Sequence, residues 1–168
     1  MHSIPAKRKA IKDFFDSHAK IEGDSIYAIS DSGLYYFETE KYVQNDPERN
    51  WIITKIMIFD TEKACCIFEY FTDHDAETFA WISINTTDYL LFPEFLGGYS
   101  IFNTASLELH SYYCEDDPFI WQEITFSPQQ MQLVVTGNYW ACPSEIISYS
   151  CAACTALPYP ILQRTYTA

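Results

Sequence analysis

The stretch Thr125-Phe126-Ser127-Pro128-Gln129-Gln130-Met131-Gln132-Leu133-Val134-Val135 reads as strand, turn, strand. Apolar residues on both sides flank a polar four-residue turn. The turn opens with Ser127, whose hydroxyl can hydrogen-bond its own backbone and set the reversal. The same pattern occurs at Ala28-Ile29-Ser30-Asp31-Ser32-Gly33-Leu34-Tyr35-Tyr36-Phe37, with the turn opening at Ser30. It occurs again at Ser83-Ile84-Asn85-Thr86-Thr87-Asp88-Tyr89-Leu90-Leu91-Phe92, with the turn opening at Asn85. A third strand follows in each unit, at residues 55–60, 99–103 and 145–150, and after a polar turn a fourth apolar segment, at 67–71, 107–110 and 157–162.

The openings lie 55 residues apart (Ser30 to Asn85) and 42 apart (Asn85 to Ser127). These spacings bracket the roughly 40–50 residues of a four-stranded propeller blade. The expected fold is therefore mainly β, with three blade-like antiparallel meanders over about 25–75, 76–115 and 119–163. The first unit is lengthened by the polar stretch 40–51, containing Asn45-Asp46-Pro47, which reads as an exposed hairpin loop. Propellers close with about four to eight blades. Three units thus predict a partial, open stack of sheets or the association of two copies.

Before these units the periodicity is helical. Ile11, Phe14, Phe15 and His18 fall on one face of residues 5–20, while Lys9, Lys12, Asp13 and Asp16 fall on the other. Pro5 suits the first turn and Gly23-Asp24 a stop. This predicts one N-terminal helix that covers a sheet edge.

The 168 residues fit one domain, 1–168, and the 48% apolar content is enough burial to exclude disorder. No apolar run follows Lys7, Arg8, Lys9 and Lys12, and no stretch is long enough for a membrane-spanning helix. The expectation is a cytoplasmic protein with no membrane partner and with reduced thiols that serve as small core hydrophobes.

Charge divides the chain unevenly. Nine of the ten Lys and Arg precede residue 64 and the tenth is Arg164, whereas residues 64–163 hold twelve acids. A body of that sign repels phosphate, which argues against nucleic acid, and attracts a basic protein.

The tail Val135-Thr136-Gly137-Asn138-Tyr139-Trp140-Ala141-Cys142-Pro143, together with the Ser127-Pro128 turn, resembles the repeats of WD40-like bacterial β-propellers. The resemblance spans about residues 124–160. It departs from the family pattern at Gln129-Gln130, where Asp-Gly is usual, and no Trp-Asp dipeptide occurs. It implies a propeller-like repeat fold and no enzymatic activity.

No catalytic constellation emerges from the residues. The histidines are His2, His18, His74 and His110, and no nucleophile elbow or phosphate-binding glycine loop is present. A carboxylate pair for glycoside hydrolysis is defined by distance in space and has no sequence signature. Asp73, His74, Asp75 and Glu77 lack the glycine and the alternation of a calcium loop and read as a solvated turn.

Cys151-Ala152-Ala153-Cys154, with Cys142 nearby, is the alternative centre, for a metal- or thiol-dependent protein. A structural zinc needs four ligands, and a redox pair needs a helix N-terminus, so no metal and no cofactor is expected. The candidate binding residues are Tyr139 and Trp140, in a loop between two strands, and the acids Glu115, Asp116 and Asp117. Tyr and Trp in a loop are suited to anchoring a partner. The competing role for Trp140 is packing into its own sheet.

The functional expectation is a non-catalytic module whose acidic, aromatic-rich surface takes a basic protein. One form is an immunity-type protein against a basic toxin. Self-association into a homo-oligomer is the structural alternative.

Overall fold

The described residues form strands that pair into three antiparallel sheets; burial alternates along Gln132–Asn138, while Thr87–Glu94 is buried on both faces. The computed structural model describes residues 18–21, 23–44, 52–72, 75–94, 98–112, 119–139, 142–151 and 163–165. Sheet 1 contains β1 (His18–Ile21), β2 (Tyr27–Ile29), β3 (Tyr35–Gln44), β4 (Ile52–Asp60) and β5 (Cys65–Thr72). Sheet 2 is the meander β6 (Ala80–Ile84), β7 (Thr87–Glu94), β8 (Gly98–Asn103) and β9 (Glu108–Tyr112). Sheet 3 is the meander β10 (Ile120–Ser127), β11 (Gln132–Asn138), β12 (Glu145–Ser150) and β13 (Gln163–Thr165). Sheets 2 and 3 have the up-and-down, four-stranded connectivity of a propeller blade. Sheet 1 forms one compact unit, and sheets 2 and 3 form a second.

The chain differs from its sequence reading in several places. Helix is absent from the described residues: 18–21, at the end of the expected helix, form β1 and pair with Lys41–Gln44 of β3. The rest of that expectation, residues 5–17, lies outside the described residues. Residues 40–44, expected in a loop, continue β3. Half-buried Glu40 and Tyr42 point to one face of the sheet while buried Lys41 points to the other, so polarity there is strand alternation rather than a turn signal. The expected segment 157–162 lies outside the described residues, and the fourth strand of sheet 3 is 163–165.

The turns are more varied than one repeated motif. At Asn85 the hairpin has two loop residues, with Ser83 opposite Asp88 and Ile84 opposite Thr87. Asn85 and Thr86 have φ of 50° and 67°, the backbone of a type I′ turn, whose twist matches that of its strands. A different loop recurs once per sheet, at residues 61–64, 104–107 and 128–131. Each has four residues and ends in a left-handed one: Ala64 (φ 50°), Leu107 (φ 58°) and Met131 (φ 48°). Side chains just before two of these loops cap them. Asp60 accepts the Lys63 N–H at 2.9 Å, and Asn103 accepts those of Ala105 at 2.8 Å and Ser106 at 3.2 Å.

Within the second unit the facing sides of sheets 2 and 3 form one core: Ile82, Ile84, Tyr89, Leu91 and Ile101 against Phe119, Trp121, Leu133, Val135, Ile147 and Cys151. A column of rings runs through it. Tyr99 stacks on its cross-strand partner Tyr112 and on Trp121, both at 5.0 Å, and Trp121 meets Tyr149 at 5.7 Å. Each such pair adds about 1 kcal/mol beyond area burial.

Trp121 sits beside a bulge at Gln122, whose freed carbonyl accepts the Thr78 hydroxyl at 2.8 Å. Opposite Trp121, Gly137 passes beneath Phe119. A Cβ at Gly137 would stand 2.2 Å from the Ile120 carbonyl oxygen and 2.9 Å from the Phe119 ring, so only glycine fits.

Candidate functional site

The two faces of sheet 1 are chemically different. Phe37, Thr39 and Lys41 of β3, Thr54, Ile56 and Ile58 of β4, and Tyr70 and Thr72 of β5 form a buried face. One end of it is polar. There Thr39 exchanges hydrogen bonds with Ile26, its Oγ1 accepting from Ile26 N at 2.8 Å and its N–H donating to Ile26 O at 3.0 Å. Thr54 Oγ1 accepts the Ala76 N–H at 3.1 Å. Between these two threonines, Lys41 has a side chain only 2% exposed, and its Nζ meets Asp75 at 2.6 Å, Asp24 at 3.0 Å and Glu77 at 3.4 Å.

This arrangement answers the usual objection to a buried lysine. Desolvation alone would favour the neutral amine, yet the hydrogen-bonded Asp75 and Asp24 outweigh it and hold Lys41 above its ordinary pKa. Lys41 is charged and ties the segments at 24 and 75–77 onto the sheet.

The other face of sheet 1 is mixed: Ile53 and Met57 are buried on it, the β3 residues Tyr36, Glu38, Glu40 and Tyr42 are half-buried, and it opens towards β2. Tyr36 of β3 stacks on Phe59 of β4 at 4.8 Å, and Tyr27 of β2 tilts against Tyr36 at 5.3 Å. Tyr27 is 55% and Ile29 53% exposed. Farther along the same face Glu40 accepts from Lys20 Nζ at 2.5 Å and from the Tyr42 hydroxyl at 2.6 Å, and Lys55 pairs with Glu69 at 2.8 Å. Burial opposes ionisation of Glu40, but the bonds from Lys20 and Tyr42 prevail and lower its pKa. A groove of about 520 Å³ opens beside this network, lined by residues that include Lys20, Asp24, Tyr27, Glu38, Thr39 and Glu40.

The residues singled out in the sequence fall in several environments. Tyr139 follows β11 and is half-buried against Phe119, at a ring separation of 5.1 Å. Its carbonyl accepts the Cys142 N–H at 2.9 Å. Trp140, Glu115, Asp116, Asp117 and Cys154 lie outside the described residues.

Cys151 is buried in the core of the second unit, while Cys142 is exposed. Cys65 and Cys66 are exposed as well, contrary to their expected core role, because they open β5 directly after a loop. Among the described residues, no three of His, Cys, Asp and Glu gather as a metal site. Sequence reasoning missed Lys41, Tyr27 and Glu38. The signal for Lys41 was its phase, since it shares the alternating face of Phe37 and Thr39.

No protein-family model matches the chain, and no curated protein matches it significantly. Twelve chains of solved structures do match. Among them is the beta-propeller domain of Cps50 (Swd1) from Myceliophteria thermophila, at 12% identity and a TM-score of 0.46. The match covers 83% of this chain and 56% of that one, so this chain spans little more than half its length.

Proposed function

We infer that this chain is a non-catalytic protein-binding module and that its partner is basic. The observation that carries this reading is the run of residues 64–163, which has twelve acids and no Lys or Arg. Such a body speeds the encounter with a cationic protein and discourages phosphate-bearing ligands. Glu115, Asp116 and Asp117 are the proposed steering acids, and Tyr139 and Trp140 the proposed anchors. An immunity-type protein that neutralises a basic toxin in the cytoplasm is the specific form of this reading.

The test is capture on the immobilised chain at low salt, with elution by salt. The reading expects a protein of basic pI that is released well before molar salt, because the Debye length falls to about 3 Å there. Replacement of Trp140 by Ala is expected to cost roughly 2 kcal/mol of affinity through a faster off-rate. A Trp140→Ala chain that unfolds instead assigns that residue to the core.

A further inference from the structure

We propose that the groove on sheet 1, between the segment at 23–27 and β3, receives an arginine side chain of the basic partner. The proposal rests on the basic-partner reading and gives it a location that the charge pattern of 64–163 did not indicate. The groove combines three features. Its wall is Tyr27, an exposed ring held in place by Tyr36, which is itself stacked on Phe59. Beside that ring stands Glu38, the cross-strand neighbour of Tyr27, so ring and carboxylate share one face. The remaining charges are already committed: Lys20 is held by Glu40, and Lys41 by Asp24, Asp75 and Glu77. The groove itself thus carries one ammonium, Lys20, and three carboxylates, Asp24, Glu38 and Glu40, of which Asp24 and Glu40 pair with Lys41 and Lys20, while the nearby Lys55 pairs with Glu69.

A guanidinium fits this geometry better than an ammonium does. Its plane can lie on the Tyr27 ring while its N–H fork meets the Glu38 carboxylate. An anion or a neutral ligand would face uncompensated acids. Desolvation also costs a guanidinium less, because it is more weakly hydrated than an ammonium.

The test is an NMR titration of the full chain at low salt with acetyl-tetra-arginine amide as probe. Acetyl-tetra-lysine amide and spermidine serve as comparators. The expected result is that the arginine peptide shifts the amides of Gly23, Ser25, Tyr27 and Glu38 and binds more tightly than either comparator. Glu38→Gln is expected to weaken it about threefold, the scale of one exposed ion pair. Tyr27→Leu is expected to weaken it by a similar factor of about three. Glu62→Gln, an exposed control outside both the groove and the run 64–163, is expected to leave it unchanged.

If the peptide binds but shifts only residues of 64–163, with Glu38→Gln behaving as the parent, the groove is refuted and the basic-partner reading survives. Spermidine binding the groove as tightly as the arginine peptide overturns the choice of arginine. Absence of binding anywhere on the chain at low salt overturns the groove and the basic-partner reading together.

Discussion

The Lys41 ammonium lies 2.6 Å from the Asp75 carboxylate, and the two ends of this bond differ in exposure: the Lys41 side chain is 2% exposed and that of Asp75 38%. Stranding the buried end costs more than stranding the exposed ones, because freed carboxylates at 24, 75 and 77 can rehydrate and a freed ammonium cannot. Asp24→Asn/Asp75→Asn is therefore expected to destabilise by roughly 3 kcal/mol or more. Lys41→Met is expected to cost less, about 1–2 kcal/mol. Urea unfolding of both variants checks the order.

Stability is expected to fall at both ends of the pH scale. Lys41 and Tyr42 have raised pKa values, the former through Asp75 and Asp24 against desolvation, the latter through burial and its bond to Glu40. A raised value contributes stability that is complete below the ordinary values of 10.5 and 10.0 and is lost as pH climbs past them. Glu40 and Asp60 are lowered. They contribute above their ordinary values of 4.5 and 3.8 and lose that contribution as pH falls. Melting temperature against pH should show a plateau between these limits. Tyr42→Phe should flatten part of the alkaline fall.

Gly137→Ala is expected to destabilise by about 3 kcal/mol or more, because the added methyl meets the Ile120 carbonyl oxygen at 2.2 Å and neither backbone can retreat without breaking the β10–β11 pairing. Gly33→Ala is the matched comparison. Its φ is +74° but nothing lies within 4 Å of the new Cβ, so the expected cost is only about 1 kcal/mol of backbone strain. Thermal unfolding of the two variants separates steric from conformational cost.

Thr86→Gly is expected to stabilise the chain. A β-branched residue at φ 67° in a type I′ turn is strained, and Asn-Gly is the preferred pair there. The gain should be about 1 kcal/mol. An unchanged or lowered midpoint would show that Thr86 makes a compensating contact.

Most strand positions were legible because their signals are local. Residues 55–60, 99–103 and 145–150 were read as third strands from short apolar runs, and they lie within β4, β8 and β12. The turn openings at Ser30 and Asn85 fall between β2 and β3 and between β6 and β7, while Ser127 is the last residue of β10, just before its turn. Features set by tertiary contact were not legible. His18 reads as the end of an amphipathic helix and pairs with Gln44 instead, through backbone bonds that no side-chain pattern announces. Lys41 reads as an exposed charge because its partners Asp24, Asp75 and Glu77 are far off in sequence. Trp121 shows no local sign of belonging to the ring column, since Tyr99 and Tyr149 reach it from other strands. The candidate binding surface was legible only as net charge, and the groove beside Glu38 not at all.

The most direct test of the acidic-module account is the association rate of the captured partner measured from about 50 mM to 1 M salt, a range over which screening shortens severalfold. The account predicts an on-rate that falls steeply with salt, an off-rate that changes little, and a slower on-rate for Asp116→Lys/Asp117→Lys at low salt. An on-rate that is flat across this range, with the charge-reversed chain associating as fast as the parent, would contradict it.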